Sequence, residues 1–337
     1  MRTKIIVLPI LFFLIMSIFA SIALVTAQST VSLTVTTNKS TTYDMYDPIT
    51  LSGTLQYGAA FPSNALVAIE VDLPNSGGPM VLRTVQTGTG TVSGLPEQIT
   101  SAYLASGLGG SQVTSVQNGE LGYFTVSVTD YDSQAHNNMQ LAITIFDGNG
   151  VPIGESVSTM SLGAGSTQAE SVGIPIPTFT HSGSAYGYAD LYSALPSSGG
   201  VPMAQELPFK FTISGGTPSS GPAPTTASAT AGDYSLTFKL PQAQSGACPA
   251  GAYLVYASAS YASQDVTAKA VFNVLLIGDF DFAGVVNGND LFIFAAAYIN
   301  YYTGQPWNHL CDINNEGGLD ATDFFLFVCA YIQYWSP

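Results

Sequence analysis

Apolar and polar residues alternate with a period of two along most of this chain, from Val31 to about residue 275. The runs VSLTVTT, ITLSGTLQ and ALVAIEVDL are rich in β-branched residues, and turn-forming segments such as YDMYDP and PNSGGP separate them. Such alternation places the apolar side chains of a strand on one face, where a second layer can bury them. Short strands at this spacing are typical of antiparallel β-sandwiches. The sequence therefore predicts a mostly β protein.

The strand-rich part divides into three segments. Residues 28–94 hold four runs and are predicted to form an immunoglobulin-like β-sandwich, and residues 95–214 hold six or seven runs and are predicted to form a second one. Residues 215–275 begin with a linker rich in Gly, Pro, Ser and Thr, which cannot bury enough apolar surface to order itself. Three more strands follow this linker. We expect them either to complete the second sandwich or to form a partial third one.

The N-terminus indicates the compartment. A basic start, MRTK, precedes an unbroken apolar stretch over residues 5–25, and VTA then ends at Ala27. This pattern predicts a secretory signal peptide over residues 1–27. The apolar stretch is almost long enough to span a bilayer, so an uncleaved N-terminal anchor is the alternative. In both cases the rest of the chain is expected to be secreted or to lie on the extracellular face of the cell surface.

Charge excludes one class of partner. Only 9% of the residues are charged, and 22 acidic residues against 7 basic ones give a net charge of −15. Nucleic-acid binding is not expected, because the chain has no Lys/Arg patch that could neutralise phosphates. It also has no polybasic run for anionic lipids, so no membrane contact is expected beyond the N-terminal anchor. An acidic balance suits calcium binding, a salty exterior or plain solubility.

Residues 276–337 follow a different pattern. The runs DLFIFAAAYINYY and DFFLFVCAYIQYW contain no turn-forming residues, and each begins with an Asp that can accept hydrogen bonds from free N–H groups. Two helices are therefore predicted. Both are apolar nearly all round, so we expect them to pack on each other and on a further surface. That surface is the adjacent sandwich, a partner protein or a membrane surface, since neither helix is long enough to span a bilayer.

The segment DINNEGGLDATD, which precedes the second helix, has the spacing of a calcium-binding loop. Gly317 stands at position six, where such a loop turns sharply. The expected ligands stand at positions one, three, five, seven, nine and twelve: Asp312, Asn314, Glu316, Gly318 (through its backbone carbonyl), Asp320 and Asp323. Calcium prefers six to eight oxygen ligands, so Ca²⁺ is the predicted ion.

A second loop, DFDFAGVVNGND, lies 33 residues upstream with the same spacing. Its expected ligands are Asp279, Asp281, Val285 (through its backbone carbonyl), Asn287 and Asp290. Ala283 at position five cannot bind a metal, so we expect weaker binding here than in the downstream loop. Two such loops in tandem, each followed by a helix, are a stronger signal than one.

This pair of loop–helix units resembles a dockerin module, the duplicated unit that attaches secreted proteins to cohesin receptors. The resemblance covers about residues 278–335, and GDFDFAGVVNGNDL and CDINNEGGLDATDF carry it, including Asp at position twelve. It implies that the residues named above bind calcium and that the partner is a cohesin-like or other cell-surface protein. Unlike many dockerins, neither helix carries Lys or Arg.

Catalytic and sugar-binding signals are weak. No nucleophile motif is present, and the three histidines, His136, His181 and His309, are isolated, so neither an enzyme nor a zinc site is predicted. Glu70 and Asp72 share a strand face and are interpreted as solvated surface carboxylates. The tyrosines of SAYGYADLYS share another face, where packing is favoured over stacking on a sugar ring: Tyr186, Tyr188 and Tyr192.

The chain has three cysteines, so at least one is left without a partner in the same chain. Cys311 could pair with Cys329 or with Cys248, and the sequence leaves both pairings open.

These observations predict a non-catalytic, secreted or cell-surface modular protein that mediates adhesion or assembly through its C-terminal module. The alternative is an accessory component of a polysaccharide-degrading system, with glycans as further ligands.

Overall fold

The computed structural model describes residues 29–39, 42–43, 47–219, 221–227, 230–241, 249–281, 286–313 and 317–334. Of these described residues, 50% are in strands and 13% are helical, which confirms the mostly β class and the two C-terminal helices. The predicted signal peptide lies outside the described residues. Within the described ranges, no helix is long and apolar enough to cross a bilayer.

Strands occupy most of the chain up to residue 274. The strands are β1 (Val31–Leu33), β2 (Thr36–Thr37), β3 (Thr42–Tyr43), β4 (Pro48–Tyr57), β5 (Leu66–Asp72), β6 (Pro79–Gln86), β7 (Glu97–Ala105), β8 (Ser115–Gln117), β9 (Leu121–Asp130), β10 (His136–Phe146), β11 (Pro152–Leu162), β12 (Thr167–Pro175), β13 (Gly183–Tyr192), β14 (Leu207–Ser214), β15 (Thr225–Ala227), β16 (Asp233–Lys239), β17 (Gly251–Tyr261) and β18 (Gln264–Val274). The helices are α1 (Gly288–Tyr302) and α2 (Ala321–Tyr334), with 3₁₀ turns at Pro74–Ser76, Pro196–Ser198 and His309–Cys311.

The first sheet pair joins both ends of the β-rich part. One sheet has the order β1-β4-β16-β15, with β2 also on β4, and the other has the order β3-β18-β17-β5-β6. A shared core of aromatic and aliphatic side chains lies between these sheets, with Tyr253 stacked on Phe272. Because β16 pairs with β4 and β17 with β5, the strands after residue 225 belong with residues 31–86. This pairing differs from both sequence-based expectations, a completed second sandwich and a partial third one.

The second sheet pair is inserted between β6 and β15. Its sheets have the orders β11-β10-β13-β14-β8 and β12-β9-β7, and they enclose a separate core that includes Phe124, Ile143 and Phe211. The strands on either side of the turn at residues 147–150, β10 and β11, pair as an antiparallel hairpin. In this turn the side chain of Asp147 accepts hydrogen bonds from the N–H groups of Asn149 and Val151.

Side chains of the second sheet pair cover the edge strand β6 of the first. Thr144 Oγ1 lies 3.0 Å from Leu82 N and 2.9 Å from Leu82 O, so this hydroxyl satisfies an unpaired donor and acceptor of the sheet edge. Beside it, Arg83 forms a two-pronged ion pair with Glu206. The two sheet pairs are therefore joined through buried polar contacts as well as apolar ones.

Two carboxyl groups near this junction make stability depend on pH. Burial raises the pKa of Glu155 to about 7, and burial, opposed by a hydrogen bond from Ser197, also raises the pKa of Glu70 to about 7. A carboxyl whose pKa is higher in the folded state favours folding most below its unfolded pKa, and this contribution is lost as the pH rises through the folded value. The stabilisation is therefore lost between about pH 4.5 and pH 7.

We expect Glu155→Gln to remove part of this dependence. Its free energy of unfolding, relative to the wild type, should rise by about 1–2 kcal/mol between pH 5 and pH 8, after allowance for partial exposure. Urea unfolding at both pH values measures this, with exposed Glu120→Gln as the control. If the free energy of unfolding depends on pH in the same way in all three proteins, the raised pKa of Glu155 is not a source of this dependence.

Candidate metal centre in the duplicated C-terminal segment

The first predicted loop ends at the capped start of α1. The Asp290 carboxylate accepts hydrogen bonds from Phe280 N (2.7 Å) and from Asn287 N (2.8 Å). Asn287 is the N-cap, and its Oδ1 accepts a hydrogen bond from Asn289 N at 2.8 Å. Asp290 therefore fixes both ends of the loop to the first turn of the helix.

The second predicted loop repeats this arrangement 33 residues later. Asp323 accepts hydrogen bonds from Ile313 N (2.8 Å) and from Asp320 N (2.9 Å), and Asp320 Oδ1 accepts one from Thr322 N at 2.6 Å. Each of these donors and acceptors stands 33 residues after its counterpart in the first loop. The sequence repeat is thus also a repeat of local structure.

Equivalent side chains of the two units pack against each other. Phe294 of α1 stacks on Phe327 of α2 with ring centroids 5.2 Å apart and planes inclined by 14°. Both rings are buried, together with Phe280 and Cys311. Contact between residues at equivalent positions is the arrangement expected when two copies of a unit pack about a two-fold axis.

Carboxylates of the first loop converge on one point. Ligand oxygens of Asp279, Asp281 and Asp290 all lie within 4.8 Å of one another, and Asp279 and Asp290 are buried. Residues 276–337 contain seven acidic residues and no Lys or Arg. Clustered, buried carboxylates are costly without a cation, and a set made only of oxygen donors suits a hard divalent ion. The described residues of this loop therefore fit Ca²⁺.

The second loop is described only in part. Asp312 accepts a hydrogen bond from Gly317 N at 2.8 Å, and Gly317 has the positive φ of 90° that the sharp turn at position six requires. Gly318 follows this turn and is partly exposed. Three expected ligands lie outside the described residues: Val285 of the first loop, and Asn314 and Glu316 of the second.

The cysteines of the segment are thiols. Cys311 is buried and Cys329 is partly exposed, and they form no disulfide with each other, while Cys248 lies outside the described residues. Burial, with the negative charges of Asp323 and Asp290, raises the pKa of the Cys311 thiol to about 12. Cys311 therefore acts as a small apolar core residue.

The outer face of the two helices is apolar, exposed and duplicated. Three pairs of residues 33 positions apart have similar exposures: Leu291 and Phe324 (40% and 47%), Phe292 and Phe325 (75% and 64%), and Ile299 and Ile332 (62% and 77%). We call these six residues the outer apolar face. The neighbouring sheets leave this face uncovered.

Burial changes the interpretation of several other residues. Glu70 is only 1% exposed and accepts hydrogen bonds from Ser197 N and Oγ, so its interpretation as a solvated carboxylate is wrong. The 3₁₀ turn that contains Ser197 covers this face of β5, which strand alternation alone cannot reveal. Tyr188 and Tyr192 are buried as favoured, whereas Tyr186 is partly exposed with Lys210 near its ring.

One cluster of ionisable groups escaped the sequence analysis. The prediction that His136 is isolated is wrong, because His136 lies beside Glu97 and Asp132, with Asp130 next to them. The short spacing within DYDSQAH was the available signal. Glu97 could not be added from sequence, because only strand pairing brings it close.

Comparison with known proteins assigns no family. No family model matches the chain, and no curated protein matches it. Among solved structures, the C-terminal domain of wzt aligns with a TM-score of 0.29 and 12% identity over 38% of this chain and 76% of that one. The CARDB domain of a Pyrococcus furiosus protein, solved in complex with di-metal ions, aligns with a TM-score of 0.23 and 14% identity. This alignment covers 34% of this chain and 94% of that one. A Bacteroides uniformis β-glucuronidase aligns with a TM-score of 0.28 and 8% identity. This alignment covers 53% of this chain and 27% of that one.

Proposed function

We propose that residues 276–334 form a calcium-stabilised docking module of the dockerin type, carried by a secreted, non-catalytic protein with two immunoglobulin-like sandwiches. The observation that carries this proposal is the 33-residue repeat of hydrogen bonds, buried aromatic rings and exposed apolar residues. A repeat that serves only to fill a core would not need to repeat its solvent-exposed apolar residues as well.

Calcium would act by ordering the loops. With the ion bound, the carboxylates of each loop lose their mutual repulsion, and the carboxylate of Asp290 or Asp323 can hold the start of its helix. The starts of α1 and α2 in turn set the position of the outer apolar face. Metal binding and the display of this face would therefore be coupled.

The outer apolar face supports a protein as the partner. Exposed aromatic and aliphatic side chains are typical of protein contact sites. The helices carry no Lys or Arg, so recognition would depend on apolar burial more than on ion pairs. A cohesin-like, cell-surface protein fits these features. A sugar-binding accessory role has less support, because Tyr188 and Tyr192 are buried.

Binding of cohesin domains to the intact chain tests the proposal. We expect calcium-dependent binding, and we expect the double variant Phe292→Gln/Phe325→Gln to weaken it about 100-fold, since buried aromatic residues are typical hot spots. Isothermal titration calorimetry with and without a chelator measures both effects. Phe61→Gln is the matched control, because Phe61 is 49% exposed on the first sheet pair. Binding that survives chelation, equal affinities of the double variant and the control, or no binding by any cohesin would each contradict the proposal.

A further inference from the structure

A second group of metal-binding side chains lies at one end of the second sheet pair, apart from the calcium loops. Glu97 begins β7, Asp130 ends β9, and these two residues are direct partners in the β7–β9 ladder. The connection from β9 to β10 carries Asp132, and His136 begins β10. Strand pairing and one short connection thus place three carboxylates and one imidazole together.

Distances within this group are those of neighbouring ligands. His136 Nδ1 lies 3.1 Å from Glu97 Oε1, and His136 Nε2 lies 3.2 Å from Asp132 Oδ2. One ligand atom from each of Asp130, Asp132 and His136 lies within 4.8 Å of the other two. Glu97 lies outside this group of three, because it faces Nδ1 of His136 whereas Asp132 faces Nε2.

Two buried carboxylates of the group have unsatisfied oxygens. Glu97 is 0% exposed and Asp130 is 1% exposed. Among the described residues, neither oxygen of Glu97 accepts a hydrogen bond, and neither does Asp130 Oδ2. Buried carboxylate oxygens without partners cost several kcal/mol, so they indicate a missing ligand or counter-ion.

A protonated His136 alone does not account for this arrangement. An imidazolium between Glu97 and Asp132 would neutralise one charge of three, and it would leave Glu97 Oε2 and Asp130 Oδ2 without partners. A divalent cation beside Asp130, Asp132 and His136 would supply the missing charge and a partner for Asp130 Oδ2.

We propose that Asp130, Asp132 and Nε2 of His136 bind one divalent transition-metal ion of the zinc or manganese class, while Glu97 orients the imidazole through Nδ1. The imidazole nitrogen among the ligands favours this class over calcium, which prefers oxygen donors throughout. Asp132 and His136 are partly exposed and give the ion access from solvent. A bound ion would link the end of β9 to the start of β10, and β7 would contribute through Glu97. It would therefore stabilise the second sheet pair whether or not the C-terminal segment binds calcium.

Calorimetric titration of the intact, metal-free chain with Zn²⁺, and separately with Mn²⁺, tests this proposal. Saturating Ca²⁺ is kept present so that the C-terminal loops do not compete. We expect one ion of at least one of the two metals to bind per chain with a micromolar or lower Kd. His136→Ala and Glu97→Gln should each weaken binding at least about tenfold.

His181→Ala is the matched control, because His181 is also partly exposed and bonded to one carboxylate, Asp147. If Glu97→Gln fails to fold, His136→Gln provides the second variant, and the visible spectrum of bound Co²⁺ reports nitrogen ligation directly. Three outcomes would overturn the proposal: no wild-type binding of either ion below about 100 μM, affinities unchanged in the His136 variants, or an equal loss in the His181 control.

Discussion

Removal of calcium from the intact chain is expected to unfold residues 276–334 while both sheet pairs stay folded. The segment buries Asp279, Asp290 and Asp323 and contains no Lys or Arg, so under the proposed function its helix starts would depend on an external cation. Structural metal sites in modules of this size supply most of the folding free energy. Amide hydrogen exchange followed by mass spectrometry, with and without chelator, measures the effect. We expect exchange in α1 and α2 to accelerate at least about 100-fold, which corresponds to about 3 kcal/mol.

The variant Asp323→Asn should reproduce this loss in the presence of calcium. An Asn side chain keeps the shape, but it removes the charge and one of the two acceptors that hold Ile313 N and Asp320 N. The expected cost is about 3 kcal/mol, since a hydrogen bond to a charged group contributes about 1.5–3 kcal/mol and metal affinity falls as well. Asp265→Asn, at an exposed position of β18, is the control. If Asp323→Asn destabilises the helices but chelator does not, the carboxylate is only a helix cap and calcium has no role.

The strands were predictable from sequence because their signal is local. Alternation within a run decides which side chains share a face, and the β10–β11 hairpin follows from two such runs and the turn after Phe146. The helix starts were predictable for a similar reason. Asp290 and Asp323 stand where a capping carboxylate is needed, and the 33-residue repeat makes each helix support the prediction of the other.

Long-range pairing could not be predicted in this way. Tyr234 pairs with Gly53, and Tyr256 pairs with Glu70. In the sequence, the whole second sheet pair lies between the partners. Alternation shows that a strand has a buried face but not which strand lies beside it. The same limit hid the cluster of carboxylates around His136, because Glu97 lies 39 residues from His136 and reaches it only through the β7–β9 ladder. It also hid the burial of Glu70 beneath the turn at Ser197.

Arg83→Met is expected to lower the free energy of unfolding by about 3–5 kcal/mol and to destabilise both sheet pairs together. Arg83 is 1% exposed, and its Nε and Nη2 lie 2.5 and 2.8 Å from the two carboxylate oxygens of Glu206. Its guanidinium also lies 3.3 Å from the centre of the Tyr188 ring. Removal of the cation would leave Glu206 largely buried without its counter-ion, and breaking such a pair is costly.

Because of Asp190, replacing Arg83 and replacing Glu206 are expected to lower the free energy of unfolding by different amounts. It is fully buried, and burial together with the charge of Glu206 raises its pKa well above the usual range, whereas Arg83 lowers it. In Glu206→Gln the repulsive charge disappears, so the pKa of Asp190 should fall and Asp190 can become the counter-ion of Arg83. Arg83→Met offers no such replacement. We therefore expect Glu206→Gln to cost only about 1–2 kcal/mol, less than Arg83→Met.

Chemical denaturation of the two single variants and of the double variant Arg83→Met/Glu206→Leu measures these losses of free energy of unfolding. The double variant should recover part of the loss, because an apolar pair of similar volume avoids the cost of desolvating both charges. Lys39→Met is the control, because Lys39 forms a more exposed ion pair with Asp47 and should change stability by about 1 kcal/mol or less. The buried Arg83–Glu206 pair holds β6 of the first sheet pair against the second, so its loss should shift a single cooperative transition. An Arg83→Met effect no larger than that of Lys39→Met, or melting of one sheet pair alone, would show that the edge contacts of Thr144 and the apolar packing suffice to join the two sheet pairs.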